Sequence, residues 1–273
     1  MAIGKCLLTG ATGTFVKSHL TPQAFTAPAI PGAYFVSAGN RMRPSRTFTS
    51  WYDKKIVTRK GEDILADLDS YAVTTLRRHK LVWSGWDGGS RLDPGLHRMF
   101  NDTQGFRKVL FEDAQRIRLF CLSLLWRWSV STLPAAAEVD LPIGQQHQLR
   151  DMILASDAGD PSVFPIEFIQ LSTRGEAQNM APIATMKSIH DFESSTEKTV
   201  SFYRFYFDGL AVHVGMSPKS TALHTLVLGA ETDFTLATVA YEDSFQRLNL
   251  NYLKQDVNHE FPREFQKFIL PFN

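Results

Sequence analysis

Cysteine is nearly absent from this chain: Cys6 and Cys121 are the only two among 273 residues. Two thiols exclude a disulfide framework, and they exclude a four-thiolate zinc site. Long apolar runs are missing too. The longest, LFCLSLLW at 119–126, lies between arginines and falls short of the ~20 residues a membrane-spanning helix needs. We expect a core helix there and no membrane contact. The N-terminus has one lysine before a short apolar-leaning stretch, so we expect no signal peptide and a cytoplasmic protein. Neither a G-x-S-x-G elbow nor a G-x-x-x-x-G-K-[ST] loop occurs. That removes the commonest hydrolase and NTPase classes. Internal repeats, low-complexity tracts and histidine pairs at H-x-x-x-H spacing are also absent.

What is present is the composition of an ordinary globular protein, 44% hydrophobic and 21% charged. A chain this long can bury one large core or two to three small ones. The net charge is only +1, but the charge is unevenly spread. Residues 1–80 hold 12 Lys+Arg against 5 Asp+Glu, and the remainder holds 17 against 23. That asymmetry points to a first third facing a polyanion; a solvated surface balanced within the fold is the alternative.

Periodicity predicts the organisation. Short strand-like pieces fill the first 60 residues. A helix follows over 60–79, with Ile64, Leu65, Leu68, Tyr71, Ala72 and Leu76 at helical spacing. Further helices are predicted over 112–131 and 145–155. The last third is β-rich, from VFPIEFIQLS through TVSFYRFYF, LAVHVGM and HTLVLGA to FTLATVAY. Asp208-Gly209 reads as a type I′ hairpin turn. Two short helical pieces over 244–254 and 262–268 end the chain. The expected fold class is therefore α+β, divided into 1–82, a helical segment over 83–160, and a β-rich segment over 161–273.

The stretch CLLTGATGTFVKSHLTP, 6–22, admits two readings. As a dinucleotide turn it needs a third glycine where the helix meets the strand. That position is Val16, and TFVKSH alternates like a strand. No run of alternating strands and helices follows, as a doubly wound fold requires. The glycines then mark a tight hairpin turn.

The second reading rests on a resemblance. C-L-L-T…K-S-H-L-T-P-Q-A-F, from Cys6 to Phe25, and V-T-R-K-G-E, from Val57 to Glu62, resemble a group of bacterial HNH-like proteins. These read roughly C-x-x-C…K-S-H-I-I-P-x-x-F and then C-x-x-C-E before a helix. The resemblance continues into RLFCLSLLWRWSVS and LRDMILASDAGDPSVFP, and more weakly into YRFYFDGLAVHVGM, so that it spans most of the chain. It implies an N-terminal ββα-metal finger. Of the four zinc-knuckle cysteines only Cys6 is kept; Thr9, Thr58 and Gly61 stand at the other positions. Structural zinc is therefore not expected. Thr9 and Thr58 are expected to tie the loops by a hydrogen bond to each other instead.

The resemblance also implies a site. His19 matches the general base that ends an early hairpin, and Glu62 opens the next long helix where such fingers hold their cation. Asp63 and Asn40 are further metal-ligand candidates, with Mg²⁺ or Mn²⁺ as the implied ion. Ser18 stands where active enzymes usually place an acid. Otherwise His19 hydrogen-bonds within its hairpin and Glu62 caps its helix. Arg41, Arg43, Arg46, Lys54, Lys55, Arg59 and Lys60, interleaved with Trp51 and Tyr52, are candidate nucleic-acid contacts, since cations bind phosphate and aromatics stack on bases. Arg127, set in an apolar run, is expensive to bury without a partner: an acid is the expected one, and a phosphate in a groove between domains the alternative. The expected function is metal-dependent cleavage or binding of DNA or RNA, in phage defence or a mobile element. The rival is a non-enzymatic module with a protein partner, its finger a structural remnant.

Overall fold

The structure is a computed structural model and describes residues 2–26, 35–39, 42–176, 179–191, 195–216, 224–231 and 233–269. The chain opens with β1 (Ile3–Lys5), β2 (Thr12–Thr14), β3 (Ser18–His19) and the single turn α1 (Gln23–Thr26). Then come β4 (Phe35–Gly39), β5 (Met42–Thr47), β6 (Tyr52–Asp53) and the long helix α2 (Arg59–Arg78). The middle holds β7 (Arg98–Met99), β8 (Gln104–Leu110), α3 (Ala114–Val130) and α4 (Ile143–Ala155). The last third holds β9 (Ile166–Leu171), β10 (Ile183–Asp191), β11 (Thr196–Phe207), β12 (Leu210–Gly215), β13 (Asp233–Val239), α5 (Phe245–Glu260) and α6 (Pro262–Phe268). The fold is mixed α and β, as expected.

The strands form one seven-stranded sheet and three small ribbons. The large sheet runs β10-β11-β12-β9-β13-β8-β7, antiparallel except where β13 lies parallel to β9. The ribbons are β1/β2, β4/β5 and β3/β6. At the turn between β11 and β12, Asp208 and Gly209 both have positive φ, 48° and 81°. A type I′ turn requires that. HTLVLGA, expected as a strand, is instead a 3₁₀ turn at His224–Leu226 whose following Leu228 is buried in the core.

The segment expected to be helical, 83–160, supplies α3 and α4 but also β7 and β8. β8 (QGFRKVL) was hidden by an inverted pattern. Its inward face carries Gly105, Arg107 and Val109, while Phe106 and Leu110 point out. Buried Arg107 donates to Gln170 at 3.0 Å and to the His79 carbonyl at 2.9 Å. It thus ends α2 with a cation, where the helix dipole favours one. α3 is buried on all sides, with every residue from Ile117 to Trp128 inside, including Arg118, Ser123 and Arg127, as befits a central core helix. The buried residues Leu8, Leu20, Leu65, Phe120, Trp126, Phe168 and Phe207 belong to one continuous core. Residues flanking the β1/β2 and β3/β6 ribbons, helices α2, α3 and α4, and the large sheet therefore share it. No helix among the described residues is long and apolar enough to cross a membrane.

Candidate functional site

The loop between β1 and β2 and the start of α2 meet at the sulfur of Cys6, which is only 1% exposed. The Thr9 amide donates to Sγ at 3.4 Å. Burial pushes the Cys6 thiol up, but hydrogen bonds from Thr9 and Thr58 outweigh this and hold it below its ordinary value. The Thr9 amide thus meets the sulfur while its hydroxyl accepts from the Ala11 amide, where a bond between Thr9 and Thr58 was expected. Gly61 completes the cluster: a Cβ there would lie 2.8 Å from Sγ. Positions 6, 9, 58 and 61 therefore gather about one point in space.

His19 lies beyond the β1/β2 hairpin. Its strand, β3, pairs with β6, the strand that leads into α2, with Ser18 opposite Asp53 and His19 opposite Tyr52. Successive side chains leave opposite faces of a strand. On one face the His19 ring meets Tyr52 edge-on, centroids 6.1 Å apart. On the other, the Ser18 hydroxyl is close enough to Glu62 to favour its carboxylate, though not aligned for a full hydrogen bond. Ser18 Oγ, His19 Nε2 and Glu62 Oε2 are all buried without a hydrogen-bond partner. His19 therefore does not bond within a hairpin through Nε2. Buried polar atoms are nearly always paired, so orphans on both faces of this short strand call for an explanation.

Burial raises the Glu62 pKa; Ser18 and Arg127 pull it back, and Asp69 raises it. Burial lowers the His19 pKa, assisted by Lys17 and Arg127 and opposed by Asp69. A neutral imidazole at physiological pH can accept a proton. Arg127 ties these parts together. It is 1% exposed and binds Asp69 through two bonds, at 2.9 and 2.6 Å. It also donates to the His19 carbonyl at 3.1 Å and to Ser123 Oγ at 3.0 Å. Asp69 lies two turns along α2 from Glu62, on the same side of the helix. Arg127 thereby clamps β3 to α2 and α3. Its need for an acid was legible in the sequence; the choice of Asp69 was not.

The other expected ligands lie elsewhere. Asp63 is exposed and pairs with Arg59 at 3.8 Å, a quarter turn or so from Glu62 around the helix. Asn40 and Arg41 fall outside the described residues, and Arg43 lies on β5. Among the described residues no three His, Cys, Asp or Glu side chains form a group that could hold a metal ion.

The expected cationic set divides between two surfaces. Arg59 and Lys60 border a groove of about 700 Å³ along α2. Arg46, Lys54 and Lys55 border a separate cleft of about 680 Å³, together with Ser50, Trp51 and Tyr52. The Lys17 and Lys54 ammonium groups lie 4.1 and 5.6 Å from the Tyr52 ring centroid. Each is within cation–π range. Tyr52 is thus shared: it walls this cleft and touches His19. Asp53, also in the wall, accepts from Ser131 Oγ and from the Lys55 amide, both at 2.8 Å. No family model, curated protein or solved structure matches this chain.

Proposed function

We propose that this chain is an HNH-like protein that acts on nucleic acid, with β3, β6 and α2 as its ββα finger. One observation carries the reading. The Ser18 hydroxyl lies near enough to Glu62 to favour its carboxylate, and His19 follows Ser18 on the same strand, its ring on the opposite face against Tyr52. Those are the positions at which such a finger holds its cation and its base. The gathering of positions 6, 9, 58 and 61 supports it from a second direction. That is where the resemblance puts four zinc-knuckle cysteines.

The orphaned Glu62 carboxylate and Ser18 hydroxyl suit a hard cation such as Mg²⁺, which takes oxygen ligands and is commonly held by one or two carboxylates plus substrate phosphate. Bound there, the ion would stabilise the charge that develops on a scissile phosphate. The chain's own residues do the rest. His19, the base the resemblance implies, accepts the proton of the attacking water at Nε2 once that buried atom is uncovered. Arg127 fixes the His19 backbone, and Arg46, Lys54 and Lys55 attract the phosphate backbone.

The test is a cleavage assay on single- and double-stranded DNA and RNA with Mg²⁺, Mn²⁺ or EDTA. Cleavage is expected only with the ion, and His19→Ala is expected to lower it by roughly 10²–10⁴-fold. Cleavage unchanged in His19→Ala would overturn the assignment of the base. A second reading is favoured by the burial of His19 Nε2 and Glu62 Oε2: the finger is kept for its fold and the chain binds a protein partner. Absence of both cleavage and salt-sensitive nucleic-acid binding would support it.

A further inference from the structure

Two hydroxyls in the wall of the cleft beside His19 have no hydrogen-bond partner. Ser50 is 2% exposed, lines the cleft, and its hydroxyl has no hydrogen-bond partner. The Thr49 hydroxyl, also in the wall, is buried and unpartnered as well. Burying a hydroxyl without a partner costs free energy, so two in one wall point to a ligand that supplies the partners. The neighbouring Asp53 carboxylate bonds Ser131 and the Lys55 amide and neither of these hydroxyls. The rest of the wall has a definite chemistry. Trp51 and Tyr52 offer flat rings, and the exposed Lys54 and Lys55 offer positive charge. At about 680 Å³ the volume is in the usual range for a small-molecule pocket, ~300–1,000 Å³.

We infer that this cleft receives one unstacked nucleotide. Its base lies on Tyr52, its polar edge meets Ser50 and Thr49, and its phosphate meets Lys54 and Lys55. A base inside a duplex has both faces covered by its neighbours and offers none to a ring. Aromatic stacking therefore selects single strands. The inference rests on the nucleic-acid reading above and narrows its substrate to single-stranded DNA or RNA, or a single-stranded flank. Lys54 is the more distant of the two cations over Tyr52. A stacking base displaces that ammonium towards the phosphate. The nucleotide is either a unit of a strand or a free mononucleotide, and both carry the same chemistry.

The test uses a fluorescein-labelled twelve-residue oligothymidylate, alone or annealed to its complement, followed by anisotropy in EDTA so that nothing is cut. The single strand is expected to bind at least ten times more tightly than the duplex. Tyr52→Ala should weaken single-strand binding by roughly 5- to 150-fold and leave duplex binding unchanged, while Tyr52→Phe keeps the affinity. Lys54→Ala, a change at an exposed side chain, should lower the salt slope by about 0.7 and serves as the check if Tyr52→Ala does not fold. Unlabelled thymidine monophosphate that competes marks the free nucleotide as the source; competition by strands alone marks the polynucleotide. Inorganic phosphate competing as well as thymidine monophosphate would overturn the stacking claim. Duplex binding that equals single-strand binding would overturn this inference and leave the nucleic-acid reading standing. No binding of either form would overturn both.

Discussion

If positions 6, 9, 58 and 61 are an emptied zinc knuckle, refilling them should restore the metal. The perturbation is Thr9→Cys with Thr58→Cys and Gly61→Cys, which places four thiols around the site of the Cys6 sulfur. In the present fold a Cβ at Gly61 would lie 2.8 Å from that sulfur, closer than real contacts allow. Thiolates on a tetrahedral zinc stand roughly 3.8 Å apart, given a Zn–S bond of about 2.3 Å. Cys6 must therefore turn out of the space that Gly61 leaves open. Without metal the crowding should destabilise the triple variant by about 1–3 kcal/mol, the usual cost of overpacking. With zinc at a thousand times its dissociation constant, binding should return about 4 kcal/mol. In a chain of this size that is a rise in Tm of roughly 8–16 °C between EDTA and zinc. Calorimetry in both buffers, with metal analysis of the purified protein, measures it. One zinc per chain, lost on adding Cys6→Ser, is the expected result. A triple variant that folds and holds no zinc would refute the reasoning, because the four positions would then be neighbours by packing alone.

Three further outcomes follow from the clamp and the buried pair. Asp69→Ala leaves Arg127 buried without its acid. Because the Asp69 side chain is 20% exposed, the loss should lie near the lower end of the range for broken buried pairs, about 3 kcal/mol, by urea unfolding. Arg127→Met combined with Asp69→Leu should cost less than Asp69→Ala alone; an equal or larger cost would mean the residues do not act as a pair. Glu62 and His19 should give opposite pH slopes. Glu62 is raised from its ordinary 4.5, so the folded chain holds its proton more tightly and stability falls as pH rises above about 4.5. His19 is lowered from its ordinary 6.5, so the unfolded chain takes up its proton first and stability falls as pH drops below about 6.5. Glu62→Gln should remove the first slope and His19→Gln the second, read from unfolding midpoints between pH 4 and 8. Slopes unchanged by the substitutions would show that neither group is perturbed by burial.

The parts of this fold that were legible are those where one local rule dominates. α2 announced itself through apolar spacing and a basic last turn, and the Asp208-Gly209 turn through backbone angles that few other pairs tolerate. β8 was missed because its buried face is Gly105, Arg107 and Val109, and what buries an arginine is Gln170 and the end of α2, both remote in sequence. HTLVLGA has strand composition but forms a 3₁₀ turn at His224–Leu226, and its Leu228 amide makes a bond to the Ile166 carbonyl of β9. At the site, motif spacing pointed to His19 and Glu62. It could not show that β3 pairs with β6, 33 residues on. Nor could it show that Arg127 reaches back 108 residues to the His19 carbonyl. Ser50 carries no sequence signal at all: an unpaired serine hydroxyl is recognisable only once its surroundings are known.

The claim at the centre is that Ser18 and Glu62 form a cation site at the strand that carries His19. Crystals soaked in Mn²⁺ and measured at the manganese absorption edge test it most directly. An anomalous peak within bonding reach of Ser18 Oγ and Glu62 Oε2, lost in Glu62→Gln, is the predicted result. A well-ordered crystal with no peak there, or with its peak elsewhere on the chain, would contradict it.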